Sequence, residues 1–558
     1  MSEMSSGDFF AKTIKGYGLT HIFLVPAVFR QAMVAMEELG IRRVTAHHEV
    51  AAAYMADGYA RASRGPAVCF AQAVGNANLA AGLRESFLAG SAVVAITGGG
   101  QAHFRYKHLY QVTEDFPMFE PLTKFNARVE MPSRLPDLLR QAFRVATTSA
   151  PGPVHLEMPG RLGEVGQGTV DTDVVVEQPF THVPAYRPAA DPAQVEAALA
   201  ALAAAERPVL VVGGGVTVSN ASEEFVKLAE LLQIPVAISL NGKENIPEDH
   251  PLNIGLIGTY GRWTANQMVA DADLVFFVGS EAGGHVTDLF KIPRPGTKVL
   301  QLDIDPQEAG RNYHLEAAVV GDAKVALKQM IEMARPTAPR AAWLERARES
   351  VRQWRSSVEE TYNSDASPVH PARAMKELSE VLPDNAVLVA DTGHSAIWTG
   401  TMFGLKKGQR YIRCAGTLGW AFPGTLGIKC ALPDRPVVAF VGDGGFYYHM
   451  AEMETMARIG INAIVIVNNN GRLRQERAGL TAAYGGTRGP RAHEMWEFKQ
   501  PDFAGIAERM GCVGIRVEKA RDLRPALEKA LGANAPVIID LIGDPEPAPQ
   551  GPWDRSTE

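Results

Sequence analysis

The residues best suited to chemistry lie late in the chain, in Gly442-Asp443-Gly444-Gly445-Phe446 and in Asn468-Asn469-Asn470-Gly471. Between them, residues 451–459 read as an amphipathic helix and 463–467 as a strand. The apolar run 437–441 reads as a buried strand that delivers Asp443 to the carboxyl end of a parallel sheet, where open α/β folds bind ligands. Glycines there let a backbone approach a phosphate, and the amino end of the following helix favours an anion. A magnesium ion wants hard oxygen ligands in an octahedron, completed by phosphate and water. One carboxylate, one amide carbonyl and one backbone carbonyl would suit it. A G-D-G turn and an Asn-rich loop without any ligand is the alternative reading.

Such a site needs a scaffold, and the chain supplies the pattern for one. At 558 residues it is too long for a single core. Short apolar runs alternate with amphipathic stretches throughout, as in parallel α/β domains. Residues 67–71, 92–97 and 154–158 read as strands of a first unit. Residues 208–212, 274–278 and 299–304 belong to a second, and 386–390, 437–441, 463–467 and 537–541 to a third. Pro-rich or extended passages at 177–192 and 367–371 read as linkers. The expected fold class is α/β, with three doubly wound parallel-sheet domains at 1–176, 190–335 and 368–543 and a Pro-rich tail at 544–558.

Bulk properties exclude several classes. A net charge of −7 gives no support to nucleic-acid or membrane-surface binding. No apolar run approaches the roughly 18–20 residues that span a bilayer. The first ten residues lack the pattern of a signal peptide. Cys69, Cys414, Cys430 and Cys512 are scattered, as expected of reduced thiols. These features predict a soluble, cytoplasmic protein.

The late motifs resemble the GDG…NN signature of thiamine diphosphate (ThDP) enzymes. In that family the aspartate, the second asparagine of the pair and the carbonyl two residues on bind magnesium. The interval from Asp443 to Asn470 is the family's usual one, so the resemblance implies Asp443, Asn470 and the Arg472 carbonyl as metal ligands. His47-His48-Glu49, followed by residues 50–61, looks like the family's N-terminal motif, which makes Glu49 the acid that activates the cofactor through its aminopyrimidine ring. Read alone, Glu49 could simply offset a helix dipole. Asp391-Thr392-Gly393-His394-Ser395 falls where the family meets the terminal phosphate with Gly393, His394 and Ser395; a helix cap is the ordinary alternative. Gly416-Thr417-Leu418-Gly419 resembles the loop whose apolar side chain wedges between the cofactor's rings, with Gly416 and Leu418 bonding the pyrimidine edge. Pro26, Asn76, Gly442, Gly444 and Gly445 complete the implied cofactor-binding set. The family divides each site between two chains, so the resemblance implies a homodimer or homotetramer.

The resemblance runs along nearly the whole chain and is closest to the acetolactate synthase and oxalyl-CoA decarboxylase branch. It implies a lyase, decarboxylase or carboligase acting on a 2-oxo acid or related small carbonyl substrate through ylid and enamine intermediates. A 2-hydroxyacyl-CoA lyase or oxalyl-CoA decarboxylase type is the first alternative, and a non-catalytic ThDP-binding protein a remote one. Lys124 and Gln111 fall at the branch's active-site lysine and Phe-Gln-Glu element, although Val112 stands where the family has Glu. Ala27 replaces a loop glycine after Pro26. His103, His108 and His285 are candidate proton shuttles near the substrate. Arg472, Arg474, Arg477 and Arg488 could receive an anionic substrate or CoA, or equally form a solvated face, with the Arg472 side chain free for substrate. Gly279-Ser280-Glu281 and Ser149-Ala150 lack the arginines with which this branch meets FAD or ADP phosphates. A carboxylate repels phosphate where a guanidinium would bind it. FAD is therefore not expected, and ADP is doubtful.

Overall fold

The computed structural model describes residues 3–26, 28–160, 168–335 and 340–548. The Ala27 substitution lies outside them. Three six-stranded sheets, parallel throughout, carry the architecture. The first runs Arg42–Thr45, His21–Leu24, Ala67–Ala71, Val93–Gly99, Val154–Pro159, Phe125–Arg128. Counted along the chain, that is the order 2-1-3-4-6-5. The third repeats it with Arg410–Arg413, Val387–Ala390, Val437–Gly442, Ile464–Asn469, Val537–Ile542 and Val513–Val517. The middle sheet has the order 3-2-1-4-5-6, with Pro208–Val212 as its first strand and Leu274–Val278 as its fourth. The inner strands are mostly apolar because helices cover both faces.

The outer domains share one core. Helix Glu49–Ser63 of the first crosses helix Ala421–Ala431 of the third, and the side chains around them form a single apolar cluster reaching both sheets. The crossing is close because it is glycine-lined. A Cβ on Gly58 would lie 2.2 Å from the Gly424 carbonyl oxygen, and one on Gly427 only 1.8 Å from that of Met55.

The middle domain braces the third from its far side. Lys243 is buried and donates to the Gly400 carbonyl at 2.9 Å, while Arg262 donates to that of Thr401 at 2.6 Å. Glu248 pairs with Arg262 at 2.7 Å and balances the two cations. They sit at the carboxyl end of helix His394–Met402, where the helix dipole favours positive charge. The amino end of that helix carries Gly393, at the candidate site.

Candidate cofactor site

In an open sheet ordered 2-1-3-4-6-5, the strand order reverses between the first and third strands, and ligands bind beyond the carboxyl ends there. In the third sheet those strands end at Ala390 and Gly442. Both loops singled out from the sequence therefore meet at one crevice. Gly393 holds φ +60°, a conformation that favours glycine, and Ser395 follows it, buried. A Cβ on Gly442 would meet only the Ser395 hydroxyl, at 3.7 Å, so the two loops leave room between them. His394 stands beside them, its pKa lowered to about 4 by burial and by Arg474.

Asp443 is buried at the crevice floor. Its carboxylate accepts from the Gly444 N–H at 2.8 Å and the Gly471 N–H at 2.5 Å, which ties the two late motifs together. Among the described residues it has no ion-pair partner, and burial pushes its pKa up to about 6. The three asparagines are distinguished by what they touch. Asn469 donates to Asp540 at 2.9 Å and to the Pro501 carbonyl at 3.0 Å, facing away from the crevice. Asn468 presses against Gly543, where a Cβ would lie 2.0 Å from its amide oxygen. Asn470 stands next to the Gly471 N–H that Asp443 accepts, and its amide oxygen accepts from the Arg472 N–H at 3.1 Å. An unpaired carboxylate, an adjacent amide oxygen and open glycine backbone form an all-oxygen donor set that fits a divalent cation carrying a diphosphate.

The Gly416–Gly419 turn closes over the same crevice. Leu418 is half-buried and approaches Gly445, whose Cβ, if present, would lie 3.4 Å from it. Asp391, at the end of the first strand, accepts from the N–H groups of Thr392 (2.8 Å), Gly419 (3.1 Å) and Ala421 (3.0 Å).

At the first domain the polar groups are of another kind. Glu49 opens its helix behind the cap residue His48, and its carboxylate accepts from the Asn78 amide at 3.0 Å. A Cβ on Gly75 would fall 2.4 Å from Glu49, so that position has room only for glycine. Asn76 is buried and donates to the Gly98 carbonyl and Asp115, while its own amide oxygen is unpartnered. Pro26 is exposed, and Gln111 is half-buried with φ +65°. Among the described residues, no hydrogen bond joins Glu49 to the crevice of its own chain.

The remaining candidates scatter. His103 and His108 lie on an exposed stretch, His103 packed on Phe104. His285 lines a cleft of about 730 Å³ between the domains, its ring edge-on to Tyr260 at 4.4 Å. Glu281, Asp303, Asp305 and Glu308 line that cleft too; burial and the neighbouring carboxylates push Asp303 up to about 6. Two expectations need correcting. The Lys124 ammonium is not free: it donates to the carbonyls of Val145 (2.8 Å), Thr148 and Ala150 (both 2.7 Å), capping the carboxyl end of helix Leu135–Thr147, although the side chain lines the same cleft as His285. Nor is the Arg472 guanidinium free, because Glu546 holds it at 2.7 Å and Glu497 at 3.3 Å. Glu546 also takes Arg477 at 2.7 Å, so the start of the tail lies on the arginine cluster.

Sequence reasoning missed Glu85, Asn78 and the role of Asp391. Glu85 is fully buried, and its only signal was a carboxylate beside Arg84 in a helix otherwise rich in alanine and leucine.

Comparison with known proteins agrees with this geometry. Residues 4–118 match the N-terminal TPP binding domain of thiamine pyrophosphate enzymes, 195–330 their central domain and 391–541 their C-terminal TPP binding domain. The chain belongs to the thiamine pyrophosphate enzyme family, the thiamine diphosphate-dependent enzymes that make or break carbon–carbon bonds. Within it the chain is similar to acetolactate synthases. It is 31% identical to a "Probable acetolactate synthase large subunit" of Methanocaldococcus jannaschii, over 98% of this chain and 93% of the relative. It is 30% identical to an acetolactate synthase of Mycobacterium bovis, over 97% and 88% respectively. With an acetolactate synthase large subunit of Corynebacterium glutamicum it shares 31% identity, over 90% and 80%. No helix among the described residues is long and apolar enough to cross a membrane.

Proposed function

We propose that this chain is a magnesium-dependent carboligase of the acetolactate synthase type, which decarboxylates a 2-oxo acid and joins the remaining fragment to a second carbonyl compound. The observation that carries the reading is Asp443, buried with no ion-pair partner among the described residues and tied to the Asn470-Gly471 turn through the Gly471 N–H, at the switch point of the third sheet. When bound there, the cofactor supplies a nucleophilic carbon and a sink for the electron pair released as a C–C bond breaks. Asp443, Asn470 and the Arg472 carbonyl would hold the metal. Gly393, His394 and Ser395 would receive the terminal phosphate, the helix amino end behind them favouring the negative charge. Leu418 would hold the two rings bent, with backbone groups of Gly416 and Leu418 on the pyrimidine edge.

Glu49 would hold a proton against the pyrimidine nitrogen. That no hydrogen bond among the described residues joins it to the crevice of its own chain supports a site completed by a second copy, hence a homodimer or a higher assembly of dimers. Gln111, His103 and His108 would then face substrate from the partner's side, with His285 on the near wall. Arg61, Arg64, Arg410 and Arg413 line the outer-domain side of the cleft, but its middle-domain wall offers Glu281, Asp303, Asp305 and Glu308, carboxylates that would repel a phosphate, which supports a reaction that needs neither FAD nor ADP. A cytoplasmic location fits the same reading.

The test is product analysis with ThDP and Mg²⁺ supplied. Pyruvate and longer 2-oxo acids are offered singly and in pairs, with CO₂ and hydroxy-keto acids measured. Release of CO₂ together with a ligated product supports the assignment. Turnover of acyl-CoA substrates alone would overturn it.

A further inference from the structure

The turn that carries Leu418 has almost no hydrogen bonds of its own, yet nearly every N–H along it is satisfied. Glu85, fully buried on helix Asn76–Ala89 of the first domain, accepts from the N–H groups of Ala415, Gly416 (3.2 Å) and Thr417 (3.1 Å), and from the Thr417 hydroxyl at 2.7 Å. Asp391 takes the N–H groups of Gly419 and Ala421 from the other side. Among the described residues, the Leu418 N–H and the carbonyls of Gly416 and Leu418 are left without partners in the turn. Two buried carboxylates from different domains thus fix the loop and leave unpaired the backbone groups that face the crevice. Burying a carboxylate is costly unless hydrogen bonds and charge compensate it. Here four donors and the Arg61 guanidinium, 3.9 Å away, do so for Glu85. Arg61 is itself anchored on Asp57, on the Arg413 carbonyl and over the Trp420 ring.

We infer that Glu85 is a positioning residue for catalysis: it sets, from the first domain, the shape of the loop that bends the cofactor in the third. The same helix reaches Glu49, since Asn78, two turns before Glu85, donates to the Glu49 carboxylate. One rigid element therefore fixes both the activating acid and the bending loop. If Glu49 serves the partner's cofactor, as proposed above, this helix also spans two active sites.

The inference rests on the ThDP reading, and the experiment separates the two. In the cofactor-free protein, amide hydrogen exchange of the 415–417 segment is compared for wild type, Glu85→Gln and Glu85→Asp. With saturating ThDP and Mg²⁺, exchange of the cofactor's C2 proton is followed by NMR. Glu85→Gln is expected to speed loop exchange roughly tenfold and to slow C2 exchange roughly ten- to hundredfold, the scale of a small misplacement at a reacting centre. ThDP affinity should stay within about threefold, because the diphosphate side is untouched. Glu85→Asp should recover part of both effects. Unchanged loop and C2 exchange in a folded Glu85→Gln protein would overturn the inference, and so would failure of both variants to fold, which would make Glu85 purely structural. A wild type that binds no ThDP would instead sink the functional reading, while the loop exchange still reports on the cradle.

Discussion

The first and third domains have the same strand order and the same switch point, yet they place different chemistry there. In the first, the helix amino end nearest the site begins with Glu49, so a side-chain carboxylate fills the position a helix dipole offers to an anion. In the third, the helix amino end nearest the site follows the first strand rather than the second, and it is preceded by Gly393, which has no side chain to fill it. One domain brings its own anion; the other is shaped to receive one. A sheet topology thus says where a ligand goes, and single residues at the strand ends decide its charge. The middle domain, with its different order and its rim of Glu281, Asp303, Asp305 and Glu308, is a third solution on a similar scaffold.

The sharpest way to break this comparison is to spoil the receiving end. Asp443→Ala should abolish the Mg²⁺-dependent rise in ThDP affinity and lower kcat/KM by roughly 1000-fold or more, since several kcal/mol of metal-held charge stabilisation goes with it. Titration calorimetry with and without Mg²⁺ reads this directly. Near-normal binding would place the metal elsewhere. The complementary change, Glu49→Gln, should leave ThDP affinity nearly intact. It should slow C2 proton exchange by about 100- to 1000-fold, the scale of losing a general acid–base group. If both variants lost affinity alike, the two ends would not divide the work as argued.

Much of this frame is legible in the sequence, and its gaps have a physical pattern. Inner strands such as Ala67–Ala71, Pro208–Val212 and Leu274–Val278 are buried on both faces and read as unbroken apolar runs. Edge strands mix arginine with apolar residues, because one side meets solvent in Arg42–Thr45 and Phe125–Arg128 and because the arginines bond to neighbouring domains in the largely buried Arg410–Arg413, and no periodicity marks them. The site divides likewise. Asp443, Asn470 and Glu49 belong to local motifs of fixed spacing. Glu85 works on a loop more than three hundred residues away in the chain, a relation that only the folded structure displays. Lys124 shows the opposite failure: a residue type in the expected place whose N–H bonds the nearby helix end consumes.

Smaller effects sharpen the comparison. Leu418→Ala should cost about tenfold in kcat with little change in metal dependence, since it loosens the rings and spares the diphosphate. A pH profile tests the cradle beneath it. Burial pushes Asp391 up to about 6, with Glu85, Tyr54 and Cys414 as its titratable neighbours. Because this folded pKa is raised, the native state holds the proton more tightly than the unfolded chain between about pH 4 and 6. The Asp391 contribution to stability therefore improves as pH falls through 6, while the loop loses its charged acceptor. C2 exchange should drop about tenfold from pH 7 to pH 5 without a fall in Tm from this group, and Asp391→Asn should flatten that limb.

Lys124→Met should do the reverse, costing about 1–3 kcal/mol of stability by leaving helix-end carbonyls unmatched, with kcat unchanged within about twofold. A large loss of kcat at normal stability would restore the lysine to the active site.

The least effect is expected at the tail, where the arginine cluster behind the metal loop meets Glu546. Burial of the Glu546 carboxylate is slight; the paired Arg477 and Arg472 guanidinium groups are what hold its pKa down at about 2. That low value does not translate into stability, because the Glu546 side chain is 60% exposed and water screens the pair. Glu546→Ala should change stability by no more than roughly 1 kcal/mol. It would also release the Arg472 and Arg477 side chains, 22% and 19% exposed, beside the proposed phosphate end. If those arginines serve only to seat the tail, kcat and KM for 2-oxo acids stay within about twofold of wild type. A selective fall in KM for substrates with a second carboxylate would show that Glu546 occupies a place an anionic substrate can take. The charge asymmetry between the two outer domains would then extend past the cofactor to the substrate.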